Sequence, residues 1–128
     1  VLSMGEPEPA DVAASREGTL YWTCRTAGVI LTRSPQGAIA LLLSDLDQPN
    51  GIALDEQRGI LYWTELPTPG VSGAQGGSNR VMGYDLNAKQ TFVVDFGDPE
   101  PTDVAVAPNG RVYWTCSSAG VIVEARRR

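Results

Sequence analysis

Histidine is absent from the 128 residues. Without an imidazole, Ser-His-Asp and Cys-His nucleophile systems, histidine-ligated zinc and histidine-held haem are excluded at once. Long apolar runs are missing too: the longest, Ala38 to Leu43, falls far short of the ~20 residues that a membrane-spanning helix needs. Positive charge is in deficit, with 10 Lys+Arg against 15 Asp+Glu and a formal net charge of −5. That balance argues against nucleic acid or an anionic membrane surface as a partner. Cysteine is scarce, at two residues. What the chain has in excess is punctuation, with 14 Gly and 9 Pro, about 18% of the residues against a usual ~12%. Such spacing suits short strands and turns, not long helices.

An internal repeat organises the chain. Residues 1–31 laid on residues 93–123 match at seventeen positions, among them Pro9, Asp11, Val12, Ala13, Tyr21, Trp22, Thr23, Cys24 and Gly28. A third copy lies between them, as Pro49-Asn50-Gly51-Ile52-Ala53 followed by Leu61-Tyr62-Trp63-Thr64. Repeats about 40 to 50 residues long mark propeller blades or solenoid units. Apolar runs bounded by turn residues predict strands at 11–15, 20–24, 29–33 and 39–44 in copy one and at 51–55, 60–65, 80–85 and 91–96 in copy two. Copy three gives strands at 103–107, 112–116 and 121–125. Four strands per unit is the composition of a β-propeller blade, so the predicted fold is all-β: blade one over 10–48, blade two over 49–98 and blade three over 101–128.

Copy three lacks a fourth strand, and the segment Val1–Met4 aligns with the fourth strand of copy two while belonging to no blade of its own. Unpaired strand edges must be covered, and three blades do not close a ring. The expected assembly is a homodimer in which two chains form a six-bladed ring and exchange their N-terminal strands. The alternative is that these residues are part of a longer propeller.

The Leu20-Tyr21-Trp22-Thr23, Leu61-Tyr62-Trp63-Thr64 and Val112-Tyr113-Trp114-Thr115 segments resemble the YWTD repeats of six-bladed propellers. The fourth position departs from that pattern, holding Cys24, Glu65 and Cys116. The resemblance implies architecture more than activity, because relatives with six blades include receptor ectodomains, lectin-like binders and calcium-dependent lactonases. The repeated Tyr and Trp are expected to pack between blades, in preference to stacking on sugars. The two cysteines, a whole blade apart, are expected to be buried thiols beyond the ~7 Å reach of a disulfide.

In a propeller the innermost strands begin at one face of the central channel, where the loops joining second and third strands also open. Asp11, Asn50 and Asp103 are read as equivalent starts of innermost strands, giving a dimer a channel mouth of four carboxylates and two amides. Such oxygens suit Ca²⁺ or Mg²⁺, and Pro49-Asn50-Gly51 resembles the segment whose Asn helps bind calcium in lactonase-type propellers. The opposing reading is that these side chains cap their own turns. Copy two also carries a long Pro/Gly/Ser segment, Leu66 to Asn79, about ten residues longer than the corresponding turns of the other copies. With Glu65 and with Ser72, Gln75, Ser78 and Asn79 of that loop, the channel face is the predicted binding site. The leading expectation is a non-catalytic module taking a small polar ligand or glycan, lectin-like in character. The alternatives are a calcium-dependent lactonase-like hydrolase and a protein-interaction scaffold.

Overall fold

The computed structural model describes residues 8–66, 79–96 and 100–125. Val1–Met4, Arg126–Arg128 and the loop residues Ser72, Gln75 and Ser78 lie outside them. Among the described residues eleven strands form three antiparallel meanders. Blade one is β1 (Pro9–Ala14), β2 (Leu20–Cys24), β3 (Val29–Arg33) and β4 (Ile39–Leu43). Blade two is β5 (Pro49–Asp55), β6 (Ile60–Glu65), β7 (Arg80–Asp85) and β8 (Gln90–Phe96). Blade three contributes β9 (Pro101–Val106), β10 (Val112–Cys116) and β11 (Val121–Glu124) among the described residues. β1, β5 and β9 lie side by side as the innermost strands.

The middle strands fall where the apolar runs predict, but the innermost ones start two residues early, at Pro9, Pro49 and Pro101. Each proline pairs across a bulge with the last residue of the second strand: Pro9 with Cys24, Pro49 with Glu65, Pro101 with Cys116. A residue without an N–H is tolerated at the first position of a strand. The residue before each proline takes a positive φ, 47° at Glu8, 39° at Gln48 and 44° at Glu100. Their carbonyls accept N–H bonds from Arg25, Leu66 and Ser117 at 3.1, 3.4 and 3.2 Å, which fix the strained corner where the chain enters each blade.

This register corrects one expected equivalence. With the prolines aligned, Asn50 matches Ala10 and Thr102, and it is Gly51 that occupies the position of Asp11 and Asp103. The reason is steric: a Cβ on Gly51 would sit 2.7 Å from the Asp103 Cα and 2.9 Å from the Thr102 carbonyl oxygen. Gly51 lets innermost strands β5 and β9 approach. Gly51→Ala is expected to destabilise the fold by about 1–3 kcal/mol, the usual cost of overpacking. The φ of Gly51 is not in the left-handed region, so the clash alone accounts for that loss. Urea denaturation measures it, and an unchanged midpoint would mean that the two strands are not held this closely.

Alternation along the strands gives every blade two faces. One carries the tryptophan in a row running outward: Val12, Trp22, Leu31, Leu41 in blade one, Ile52, Trp63, Met82, Val93 in blade two, and Val104, Trp114, Val123 in blade three. The other face carries the tyrosine and the motif threonine. The tyrosine face of each blade packs on the tryptophan face of the next. Ile30, Ala13 and Tyr21 meet Ile52, Leu61, Trp63 and Met82 at the first junction. Tyr62 and Val81 meet Val104, Val112, Trp114 and Cys116 at the second. Trp63 is fully buried and Trp114 nearly so, which places these two tryptophans in the packing between blades; Trp22 is buried as well, on the face of blade one that meets neither of the other described blades. Cys24 and Cys116 are buried thiols not joined in a disulfide.

Candidate functional site

At the end of the blades where the innermost strands begin, a depression of about 530 Å³ is lined by Arg25, Gln48, Asn50, Leu66, Glu100, Thr102 and Ser117. Its walls come from equivalent places in the repeat. Gln48 and Glu100 are the strained residues before the prolines. Asn50 and Thr102 are the second residues of β5 and β9, while Arg25, Leu66 and Ser117 follow the second strands of blades one, two and three. The fold thus gathers positions distant in sequence because every blade places them at one end.

Hydrogen bonds run across this floor from blade to blade. An Arg25 guanidinium nitrogen donates to Asn50 Oδ1 at 2.5 Å, and Asn50 Nδ2 donates to the Thr102 carbonyl at 2.8 Å. Thr102 Oγ1 donates to the Glu100 carbonyl at 3.0 Å, and Ser117 Oγ donates to Glu100 Oε1 at 3.4 Å. Arg25 Nε is buried and has no hydrogen-bond partner. A buried, unsatisfied donor on a cation favours a ligand that brings an acceptor. The depression therefore offers a guanidinium, a carboxylate, amides and hydroxyls around one apolar contact, Leu66. That set reads hydrogen-bonding groups of either polarity.

The residues expected from sequence are distributed differently. Asn50 lines the depression. Asp11 does not: its Oδ1 accepts the Val12 N–H at 2.9 Å and its Oδ2 accepts the Ile52 N–H of blade two at 3.0 Å. Both oxygens cap backbone, one of them across the first junction. Asp103 Oδ1 accepts the Val104 N–H at 2.9 Å, and the residue borders a smaller hollow on the exposed face of blade three. Glu65 is fully buried; its Oε2 accepts the Trp63 indole N–H at 2.9 Å and its Oε1 takes two bonds from Arg80, at 3.0 and 2.5 Å. Asn79, half-buried at the end of the long loop, has a buried Oδ1 without a hydrogen-bond partner.

For a divalent cation the fit is poor. Among the described residues no three His, Cys, Asp or Glu side chains stand close enough to hold a metal ion, and the Asn50 oxygen that would face a cation already accepts from Arg25. The sequence points to Asn50 and, as the start of the long loop, to Leu66, but not to Arg25, Gln48, Glu100, Thr102 or Ser117. The available signal was position: Arg25, Leu66 and Ser117 each stand directly after the fourth position of the Tyr-Trp-Thr motif. At the far end of the blades, burial and then the Glu56 and Glu17 carboxylates push the Tyr21 phenol above its usual 10.0.

No protein-family model matches the chain. Its strand order, with two four-stranded sheets and a third of three described strands, and its stacked blade faces define a β-propeller. Its Tyr-Trp-Thr repeats are of the YWTD type. It is 30% identical over 121 residues to a low-density lipoprotein receptor-related protein 1 of Pyricularia oryzae, covering 80% of this chain and 38% of that one. It is 30% identical over 105 residues to low-density lipoprotein receptor-related protein 5 of Mus musculus, covering 77% of this chain and 6% of that one. Among solved structures it resembles a chain of a nidogen/laminin complex, with a TM-score of 0.71 at 18% identity over 93% of this chain and 48% of that one. A gluconolactonase from Xanthomonas campestris matches at a TM-score of 0.67 and 21% identity, over 90% and 36%. The chain thus spans less than half the length of each of these proteins.

Proposed function

We propose that this chain is a non-catalytic binding module that takes a polar segment of a protein partner on the channel face. The observation that carries the reading is the depression between Arg25 and Glu100, with an unsatisfied buried donor on Arg25 and hydrogen-bonding groups of both polarities. The nidogen/laminin similarity supports a protein as the partner, since that neighbour is a chain of a protein complex. The Leu66–Asn79 loop, including Ser72, Gln75 and Ser78, belongs to this reading as the border of the site. A lectin-like preference for a glycan is the same surface used on a different ligand, and the test separates the two. The complete binding rim is a six-bladed ring of two chains that exchange their N-terminal strands.

A random-peptide display selection against the immobilised chain, run beside a glycan array, tests the function. The selected peptides are expected to lose at least ~10-fold in affinity on Arg25→Ala, the worth of one charged hydrogen bond. They are expected to bind Arg111→Ala normally, because Arg111 pairs with Glu124 away from the depression. Glycan binding without peptide binding would transfer the site to sugars. Selected peptides indifferent to Arg25 would remove the channel-face reading. A thermal-shift series with Ca²⁺, Mg²⁺ and EDTA tests the hydrolase alternative, which requires Asp11, Asn50 and Asp103 to hold a cation; a calcium-dependent rise in Tm abolished by Asp103→Asn would favour it.

A further inference from the structure

The end of the blades opposite the depression is formed by the turns that join first to second strands, and there blade two holds both of its neighbours. The turns of blades one and three close with the Gly18 N–H on the Ser15 carbonyl and the Gly110 N–H on the Ala107 carbonyl, at 3.1 and 2.8 Å. In blade two the Gly59 N–H reaches one residue further back, to the Asp55 carbonyl at 2.8 Å. The longer turn supplies Arg58, whose guanidinium donates to the Pro108 and Asn109 carbonyls of blade three at 3.4 and 3.1 Å and to the Asp55 carboxylate of its own turn at 3.3 Å. On the other side Glu56 takes the Arg16 N–H of blade one on both carboxylate oxygens, each at 3.1 Å.

These tied turns surround a second hollow of about 370 Å³, within the ~300–1,000 Å³ usual for small-molecule sites. Its walls come from all three blades, so it is neither of the outer blade faces. Leu54, Val106 and Pro108 line it with apolar surface, and the Arg16, Glu56 and Gln57 side chains stand beside them, exposed to solvent. Among the described residues the Arg16 guanidinium makes no ion pair or hydrogen bond, its backbone N–H alone being engaged by Glu56.

We propose that this hollow binds a free α-amino acid with a branched aliphatic side chain, its carboxylate on the Arg16 guanidinium, its ammonium on the Glu56 carboxylate and its side chain against Leu54, Val106 and Pro108. Charge selects the zwitterion. Asp55, the other carboxylate lining the hollow, is buried and already paired with Arg58. Arg16 is therefore a cation without a carboxylate, and Glu56, bonded to a backbone N–H, is a carboxylate without a cation. A simple anion gains Arg16 but is repelled by Glu56, and a simple cation meets the reverse; a molecule carrying both charges a few bonds apart satisfies both. Burial of the aliphatic part against the three apolar side chains adds affinity without regard to charge. Because Glu56 and Arg58 tie the turns together before any ligand arrives, little backbone ordering opposes binding. The site lies at the other end of the blades from Arg25 and Glu100, and it does not depend on the reading given for the channel face.

Proton–nitrogen correlation NMR of the 128-residue chain titrated with L-leucine tests it. Saturable shifts are expected at the backbone amides of Gln57, Val106 and Ala107, which line the hollow, with those of Thr102 and Ser117 at the opposite depression unmoved. Isopentylamine, which lacks the carboxylate, and isocaproate, which lacks the ammonium, are each expected to bind at least ~10-fold more weakly, the worth of one charged hydrogen bond. Arg16→Gln is expected to abolish the preference for leucine over isopentylamine, and Glu56→Gln the preference over isocaproate. Both variants keep the fold, because the Arg16 side chain is exposed and a glutamine oxygen at 56 still accepts the Arg16 N–H. Absence of a saturable shift with L-leucine, equal binding of the three compounds, preferences indifferent to both substitutions, or shifts confined to Thr102 and Ser117 would each overturn the proposal.

Discussion

Arg80→Met is expected to destabilise the fold by about 3–5 kcal/mol, the cost of leaving a buried charge without its partner. Glu65 is fully buried at the end of β6, and its carboxylate is held by two Arg80 nitrogens and the Trp63 indole. Arg80 is about a third exposed, and a second carboxylate, Asp47, lies 3.8 Å from it. Removing the guanidinium therefore hurts Glu65 far more than it hurts Asp47, which stays in contact with water. The reverse comparison locates the effect: Glu65→Gln combined with Arg80→Met should recover a good part of the loss, since the amide oxygen still accepts the Trp63 N–H while no charge is stranded. Guanidinium denaturation of the four-member mutant cycle gives the coupling directly. A single-variant loss under about 1 kcal/mol, typical of surface pairs, would show that Glu65 is reached by water.

Trp63→Ala should cost about as much, roughly 3–5 kcal/mol, by a different route. Its ring lies at the centre of the first junction with Ile30, Ile52, Leu61 and Met82, and no part of it is exposed. Truncation leaves a void between two blades that cannot close without moving whole sheets. Trp63→Phe keeps most of the apolar volume but strands Glu65 Oε2, and the smaller expected loss, about 1–3 kcal/mol, isolates that hydrogen bond. Tm and denaturant midpoint should both fall for the alanine variant, while peptide binding extrapolated to the folded fraction stays intact. Lost binding with unchanged stability would instead make the tryptophans a recognition platform.

Much of this architecture is legible before any coordinates. The Tyr-Trp-Thr strands, the Gly-marked turns and the repeat length depend on nearest-neighbour chemistry: alternation sets which side chains share a face, and turn residues set where a strand must stop. For that reason strands 20–24, 29–33, 60–65, 80–85 and 112–116 coincide with the predicted ones to the residue. The end of the blades at which Asn50 stands was legible as well, because a repeat assigns each position to one end of every blade.

What the local pattern could not specify was the identity of partners across a junction. Asn50 looks like the counterpart of Asp11 and Asp103 until the β5 register is known, since the deciding fact is that a Cβ on Gly51 would come within 2.7 Å of the Asp103 Cα, about fifty residues away along the chain. Glu65 reads as a ligand-binding residue of the channel face, and becomes a buried anchor because Arg80, on the far side of a long loop, returns to pair with it. Arg25 stands out as a binding residue only after Asn50 of the next blade takes one of its nitrogens and leaves Nε buried without an acceptor. Strand position follows from short-range periodicity and steric preference, so the sequence by itself determined the blades. Commitment of each polar side chain follows from which distant atom satisfies it in a water-poor junction, and that was decided by the tertiary structure.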